Sequence, residues 1–187
     1  MVLSRMNYKQ LILVWESYHY RFGLAGEGQA DAIQAVLEGD PGLVLNVGCG
    51  LNGQKVANLA SHCDAQVALD KDAGMVRAAK STCVAGNATF LSADAHSLPF
   101  AASCAHHVIA LGLFAYILDP VLVLREFRRV TKPGGHVIIT NSVSRSLETH
   151  KRAGSDAGLA LVEEAEGYCP AASGDVKRRY MLIFLRN

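Results

Sequence analysis

An apolar run that leads directly into three closely spaced glycines constrains the fold of this chain more than any other feature. Residues 44–54 read Val-Leu-Asn-Val-Gly-Cys-Gly-Leu-Asn-Gly-Gln, which places Gly48, Gly50 and Gly53 between a predicted strand and a predicted helix. Glycine lets the backbone turn tightly and approach a ligand, and the first turn of a helix offers unpaired N–H groups. The segment therefore predicts a strand–turn–helix unit that binds a nucleotide-sized ligand. An ordinary turn is the alternative, because this glycine pattern alone is a weak signal.

Further short apolar runs alternate with helical patterns along the chain. Strands are predicted at 42–47, 65–69, 88–91, 107–111 and 136–140, followed by two final strands at 159–162 and 179–186. The first five are apolar on both faces, which is typical of a buried parallel sheet. Helices are predicted at 54–60, 72–80 and 120–130. The third of these has Asp119 as N-cap, Pro120 at its first position and Pro-Gly-Gly at 133–135 behind it.

This alternation predicts an α/β fold, a Rossmann-like doubly wound sheet with helices on both faces. A chain of 187 residues is expected to form a single domain. Residues 8–23 and 29–37 are expected to form one or two helices, within an N-terminal helical cap that comprises residues 1–38. The α/β core is expected to occupy residues 42–187.

Half of the residues are hydrophobic and only 19% are charged, so a membrane segment must be considered. The longest stretch without Asp, Glu, Lys or Arg, residues 95–118, contains three histidines and Pro99. Its unbroken apolar part, residues 108–118, would span about 16 Å as a helix, against about 30 Å for a bilayer core. Neither a membrane-spanning helix nor a secretory signal is expected, and a cytoplasmic location is predicted.

Charge and cysteine content exclude further classes of protein. The formal net charge is +1, from 18 basic and 17 acidic residues, so no long-range field would attract nucleic acid or an acidic membrane. The five cysteines are odd in number and form no Cys-x-x-Cys pair, which favours free thiols over disulfides or a zinc site. No metal site is predicted.

An acidic residue, Asp70, ends the second predicted strand 20 positions after Gly50. At the carboxyl edge of a parallel sheet its two oxygens could accept both hydroxyls of a ribose. Capping of the helix that follows is a compatible alternative role. NAD and S-adenosylmethionine both contain adenosine, so the glycine turn and Asp70 do not distinguish them.

Three further motifs follow in order. Ser-Ala-Asp-Ala at 92–95 ends the third strand, Leu-Pro-Phe follows at 98–100, and Arg-Val-Thr-Lys-Pro-Gly-Gly at 129–135 introduces the fifth strand. With these motifs, residues 43–141 resemble the class I S-adenosylmethionine-dependent methyltransferases, particularly their small-molecule, type 11-like branch. The resemblance implies seven strands in the order 3-2-1-4-5-7-6, with strand 7 antiparallel. It also implies methyl transfer from S-adenosylmethionine to a small-molecule acceptor.

The same resemblance implies roles for individual residues. Gly48, Cys49 and Gly50 would face the amino acid part of the cofactor, and Asp70 would bind its ribose hydroxyls. Lys71 and Met75 would lie near the adenine, whose amino group Asp94 would accept. The Ala95 backbone would lie beside the ring, and Leu111 would line the cavity.

Two positions depart from the family's pattern. Asn46 stands where the family usually has an acidic residue, and it could organise the turn without supplying a charge. Asn52 stands where the third glycine usually falls, and Gly53 comes one residue later. Asparagine tolerates a left-handed backbone, so the turn is expected to form.

Candidates for contact with the methyl acceptor are sorted by the rule that ligands bind beyond the carboxyl ends of the strands. Tyr116 and His96 lie on that side, and Tyr20 belongs to an aromatic N-terminal segment, residues 15–22, that could form a lid. His106 and His107 begin the fourth strand, about 15 Å from its carboxyl end, and are expected to have surface or packing roles. Other positions beyond the fourth and fifth strands are similar candidates: Gly112, Phe114, Asn141 and Ser142.

Two alternatives to methyl transfer stay open. The chain could bind S-adenosylmethionine for another chemistry, such as cyclisation, or act as a noncatalytic partner of another subunit. An NAD(P)-dependent oxidoreductase is disfavoured, because no Tyr-x-x-x-Lys pair occurs and Asp94 would be left unexplained.

Overall fold

The computed structural model describes residues 41–142, 147–170 and 176–187. Within them lie seven strands, β1 (Leu43–Val47), β2 (Ala65–Asp70), β3 (Ala88–Ser92), β4 (Ala105–Leu111), β5 (Thr131–Ser142), β6 (Ala160–Pro170) and β7 (Val176–Leu185). The helices are α1 (Gly53–Ala60), α2 (Ala73–Thr82), α3 (Pro120–Val130) and α4 (Leu147–Asp156), with a short 3-10 helix at Leu113–Ala115. The predicted N-terminal helices and the cap at 1–38 lie outside the described residues.

All seven strands form one sheet in the order β3-β2-β1-β4-β5-β7-β6. The neighbouring pairs from β3 to β5 are parallel, whereas β7 runs antiparallel to both β5 and β6. The predicted fold class and strand order are therefore confirmed. The order reverses at β1, and the carboxyl ends of β1, β2, β3 and β4 meet at one edge of the sheet, where open α/β sheets bind ligands.

Both faces of the central strands β1, β4 and β5 are buried, which explains why these strands are apolar, whereas the edge strand β3 is half-buried or exposed. Alternate residues of β1, β4 and β5 enter different cores because successive strand side chains point to opposite faces. One core contains Leu45, Val108 and Val137 with residues of α3 and α4. The other contains Val44, Ile109 and Ile138, together with Leu59 of α1.

Helix α3 has the predicted bounds. The Asp119 carboxylate accepts the N–H groups of Val121 and Leu122 at 3.1 and 3.2 Å, and Pro120 occupies the first turn. These contacts satisfy orphan donors at the helix start. The buried side of the helix places Val123, Leu124, Phe127 and Val130 in the core of the sheet.

Helix α4 was not predicted from the sequence. Its ten residues include Gly154, Ser155 and Asp156, which are weak helix formers, and its buried residues are only His150, Ala153 and Gly154. Packing against β7, rather than local helix propensity, determines the conformation of this segment. A Cβ at Gly154 would lie 2.1 Å from Cε1 of Phe184, so glycine lets this helix approach the β7 ring closely.

Three predicted strand boundaries differ from the structure by three residues or more. β5 begins at Thr131 rather than at residue 136, and its pairing with β4 shifts register between Ala105 and His107. β6 continues to Pro170, well past residue 162, because it pairs with β7 over its whole length. β7 starts earlier than predicted, at Val176. No helix in the described part of the chain is long and apolar enough to cross a membrane.

Candidate functional site

The glycine turn after β1 is tied to the end of β2. The N–H groups of Gly48 and Cys49 donate to the Leu69 carbonyl at 2.7 and 2.9 Å, and Gly50 N–H donates to Oδ2 of Asp70 at 3.1 Å. Gly48 and Gly50 have φ values of +76° and +64°, which favour glycine strongly. The turn predicted from the sequence is therefore formed by backbone bonds between β1 and β2.

Asp70 also connects the turn to the next helix. Its Oδ1 accepts the N–H of Asp72 at 3.0 Å, while the Asp72 carboxylate accepts the N–H groups of Gly74 and Met75. The N-cap of α2 is thus Asp72, so the capping role considered for Asp70 was wrong. Asp70 instead positions two backbone segments that border the same cleft.

Asn52 and Gly53 occupy the region where a third glycine is expected, and each has a different structural role. Asn52 is extended, with φ −96°, and caps α1 by accepting Lys55 N–H at 3.1 Å, so the left-handed conformation considered for it does not occur. A Cβ at Gly53 would lie 2.2 Å from the Ala79 carbonyl oxygen and 2.5 Å from Cys83 N. Gly53 therefore permits close packing of α1 against α2.

A cleft of about 320 Å³ opens at the carboxyl edge, within the range typical of small-molecule sites. It brings together five of the residues predicted to bind a cofactor: Gly48, Asp70, Lys71, Asp94 and Ala95. The catalytic candidates His96 and Tyr116 also line it. Four further residues line the cleft and were not predicted as site residues from the sequence: Val47, Ala93, Leu113 and Ile117.

The remaining predicted cofactor residues lie near the cleft without lining it. Asn46 is buried within β1, and Met75 is partly exposed on α2. Cys49 and Gly50 belong to the turn itself. Leu111 ends β4 and packs against the second core, whereas Leu113, two residues later, lines the cleft. Gly112 has a left-handed backbone, with φ +79°, and this turn brings Leu113 to the cleft. The strand pattern does not predict such a turn, so it does not identify Leu113.

Asp94 and His96 form a pair at the cleft wall. Oδ1 of Asp94 lies 2.9 Å from the backbone nitrogen of His96 and 2.7 Å from its Nδ1. These hydrogen bonds hold the pKa of Asp94 below its ordinary value. Asp94 is therefore an ionised acceptor at neutral pH, and its side chain stays 57% exposed to a ligand.

Cys49 is an unreactive member of the turn. Burial, assisted by the nearby Asp70 carboxylate, raises the pKa of its thiol to about 12. The thiol stays protonated at neutral pH and is a poor nucleophile. Cys49 is therefore better suited to contact a ligand through its backbone than to react through its thiol.

His106 and His107 pack at the opposite edge of the sheet. His106 Nδ1 accepts Leu43 N–H at 2.8 Å, and His107 is buried, with its ring stacked on His136 at 5.3 Å. The expected packing role is confirmed.

A buried polar cluster lies near the carboxyl end of β5, where Asn141 pairs with Tyr180 of β7. Asn141, Tyr180 and His150 are almost fully buried, and the Tyr180 hydroxyl is hydrogen-bonded to Nδ1 of His150. Burial raises the pKa of Tyr180 to about 12, against the lowering effect of its hydrogen bond with Asn141. Asn141 therefore supports the end of β5 and does not face the cleft. Tyr18, Tyr20 and Arg21 lie outside the described residues, and the structure does not describe the Ser142 side chain.

The sheet order, the glycine turn and the carboxylates in the cleft define a nucleotide-binding α/β protein. Comparison with known proteins specifies its family. The model of the family described as Methyltransferase domain matches residues 45–139, half of the chain, and the chain belongs to this family. This assignment confirms the resemblance and decides between the two adenosine cofactors in favour of S-adenosylmethionine.

Two curated relatives illustrate the similarity. The chain is 31% identical over 63% of its length to the ubiquinone/menaquinone biosynthesis C-methyltransferase UbiE of Syntrophotalea carbinolica, covering 51% of that protein. It is 30% identical over 73% of its length to cycloartenol-C-24-methyltransferase 1 of Oryza sativa subsp. japonica, covering 45% of it. The chain thus spans about half the length of these relatives.

A solved structure shows the same fold over nearly the whole chain. The complex between the Haloferax volcanii Trm112 methyltransferase activator and a methyltransferase contains a chain that superposes with a TM-score of 0.72 and 18% identity. The match covers 96% of this chain and 97% of that one.

The residues at the cleft fit S-adenosylmethionine. The carboxylates of Asp70 and Asp94 are acceptors suited to ribose hydroxyls and to an exocyclic amino group. A Cβ placed on Gly50 would meet no atom of the described residues within 4 Å, so in this part of the chain the turn borders space that a ligand can enter.

Proposed function

We propose that this protein transfers the methyl group of S-adenosylmethionine to a small, partly apolar acceptor. The observation that carries the proposal is that one cleft has carboxylates at one end and apolar side chains at the other. Asp70 and Asp94 provide acceptors at one end, whereas Leu113, Tyr116 and Ile117 provide an apolar wall after β4. A cofactor with a polar nucleoside and a reactive methyl group suits such a division.

The cofactor supplies an activated methyl group on a sulfonium, so the protein mainly binds, aligns and excludes water. Asp70 would hold the ribose hydroxyls while keeping the glycine turn in place through Gly50. Asp94 would accept the adenine amino group. Tyr116 and His96 stand where they could contact the acceptor or take a proton from it.

The apolar rim supports the choice of acceptor class. Tyr116, which lines the cleft, is 84% exposed, and Leu118, which follows the cleft residue Ile117, is 87% exposed. Exposed apolar side chains in contact with a cleft favour a ligand with apolar surface. The curated relatives are named for ubiquinone and menaquinone biosynthesis and for cycloartenol, which agrees with a small-molecule acceptor.

Binding and transfer are tested separately. Calorimetry with S-adenosylmethionine and S-adenosylhomocysteine should show binding, and absence of binding at millimolar ligand would overturn the proposal. Cofactor labelled in its methyl group is then incubated with the protein and a cell extract divided into small-molecule and macromolecular fractions. Label should enter the small-molecule fraction.

Two controls interpret the labelling experiment. Heat-denatured protein measures background, and the Asp70→Ala variant should lose transfer together with cofactor affinity. Label in the macromolecular fraction contradicts the acceptor class. Cofactor binding without any transfer favours the alternative role, binding of S-adenosylmethionine for another purpose.

A further inference from the structure

The wall of the cleft that carries Asp94 is a loop whose start is bonded to the end of β2, where Ala93 N–H donates to the Asp70 carbonyl at 3.0 Å. Asp94, Ala95 and His96 line the cleft, after which the chain turns inward and buries Leu98 in the core. Within the loop, Ser97 N–H donates to the Asp94 carbonyl at 3.0 Å and Phe100 N–H to the Leu98 carbonyl at 2.8 Å. Such short-range turns do not by themselves determine where the wall stands relative to the sheet.

Two charged side chains of α3 bind this loop. Oε1 of Glu126 accepts Leu98 N–H at 2.7 Å. The Arg129 guanidinium donates to the Phe100 carbonyl at 2.8 Å and to the Leu98 carbonyl at 3.0 Å. Together these contacts bind the backbone of the loop on both sides of Pro99. Glu126 and Arg129 are about one turn apart on α3, whose other side is buried in the core.

The two side chains also hold each other. Arg129 donates from Nε and a terminal nitrogen to the two Glu126 oxygens, both at 2.7 Å, in the planar arrangement that gives Arg–carboxylate pairs their directional strength. Glu126 is only 14% exposed, so water screens the pair weakly on that side. Because Arg129 favours the charged form, the pKa of Glu126 lies below its ordinary value.

We propose that Glu126 and Arg129 are a positioning pair that places the Asp94 wall at the distance adenine requires, and so determine the selectivity of the cleft for adenine. The inference rests on the proposed assignment of the cleft to S-adenosylmethionine. Neither side chain lines the cleft, so both act through the loop rather than on the ligand.

The test compares two nucleosides in three proteins. Calorimetry measures the Kd of S-adenosylhomocysteine and of S-inosylhomocysteine, which lacks the amino group assigned to Asp94. The Arg129→Ala variant should bind S-adenosylhomocysteine about tenfold more weakly, while the Kd of the inosine analogue changes by less than about threefold. A purely structural loss would weaken both ligands equally.

Arg128→Ala is the matched control. Arg128 is the neighbouring residue of α3, and its Nε also donates to a backbone carbonyl, that of Gly158 at 3.0 Å, away from the cleft. Its loss should leave both Kd values within about twofold of the wild type. Equal losses in Arg128→Ala and Arg129→Ala, or none in Arg129→Ala, would overturn the proposal.

Arg129→Lys and Glu126→Gln provide variants that conserve volume if Arg129→Ala does not fold. Lysine cannot reach both loop carbonyls and Glu126 at once, so an intermediate loss of adenine selectivity is expected. Hydrogen exchange at the Leu98 amide should be faster in both variants, and unchanged exchange would contradict the pairing. Failure of the wild type to bind S-adenosylhomocysteine refutes the proposed function itself, whereas binding without discrimination between the nucleosides refutes only this inference.

Discussion

Oδ2 of Asp70 accepts the backbone N–H of Gly50 at 3.1 Å across a separation of 20 residues. The bond joins the carboxyl end of β2 to the turn after β1, while Oδ1 holds the start of α2 through Asp72 N–H. The carboxylate proposed to bind the ribose thus also builds the turn that faces the rest of the cofactor. Substitution of Asp70 should therefore affect the site in two ways.

Asp70→Ala should raise the Kd of S-adenosylhomocysteine by about 30-fold or more, because a charged acceptor of several hydrogen bonds is lost. Calorimetry measures the change. Asp72→Ala is the control: it removes the α2 cap, and should lower the free energy of unfolding by about 1 kcal/mol with less than about a threefold change in Kd. Equal effects on Kd would contradict a role for Asp70 in the ligand site.

Asp94→Asn should change the preference between nucleosides. The asparagine NH₂ can donate to the keto group of S-inosylhomocysteine, whereas the wild-type carboxylate can only accept. Affinity for S-adenosylhomocysteine should fall about tenfold relative to the affinity for the inosine analogue. The reason is that the hydrogen-bonding groups of the variant no longer match those of adenine. His96→Ala, which leaves the carboxylate in place, should keep the wild-type preference. An unchanged preference in Asp94→Asn would remove Asp94 from the adenine site.

Gly53→Ala should destabilise the protein through overpacking. The added Cβ would lie 2.2 Å from the Ala79 carbonyl oxygen, so α1 and α2 must separate, at a cost of about 1–3 kcal/mol. Urea denaturation measures the free energy of unfolding. At Gly86 a Cβ would meet nothing within 4 Å, so Gly86→Ala should be neutral or slightly stabilising. Similar losses at both glycines would argue against close packing as the cause.

Glu126 should contribute stability that depends on pH. Its folded pKa lies below the unfolded value of about 4.3, so the contribution is full above that value and is lost as the pH falls through the folded pKa. The difference in free energy of unfolding between wild type and Glu126→Gln should be about 1–2 kcal/mol near pH 7 and should shrink below about pH 4.

The control for this pH dependence is Glu148→Gln. Glu148 pairs with Lys151 at 2.9 Å, but its side chain is 74% exposed. Its removal should change stability by less than about 0.5 kcal/mol across the same pH range. A constant difference for Glu126→Gln from pH 7 to pH 3 would contradict the contribution of its ionised form.

Local signals predicted some elements well and others poorly. Helix α3 was predicted to its bounds because Asp119, Pro120 and the buried apolar residues all act within the helix itself. Helix α4 was missed because its sequence has weak local preference and its conformation depends on contact with β7. The end of β6 was likewise misplaced, since pairing with β7 extends it beyond its apolar start.

The cleft shows the same division. Gly48, Asp70 and Asp94 were predicted because turn chemistry and the end of each strand can be recognised locally, and the structure places them around one cavity. Leu113 and Ile117 were not, because the left-handed turn at Gly112 determines which side chains after β4 point inward.

The sequence by itself determined that the strands are apolar on both faces, that a glycine turn follows the first of them, and that carboxylates stand at the ends of the next two. Tertiary structure decided which distant groups meet: Asp70 with Gly50, and Glu126 with Leu98, 28 residues apart. The physical reason is that strand periodicity and turn chemistry act over a few residues, whereas a hydrogen bond between distant segments forms only after packing has brought its two partners within hydrogen-bonding distance.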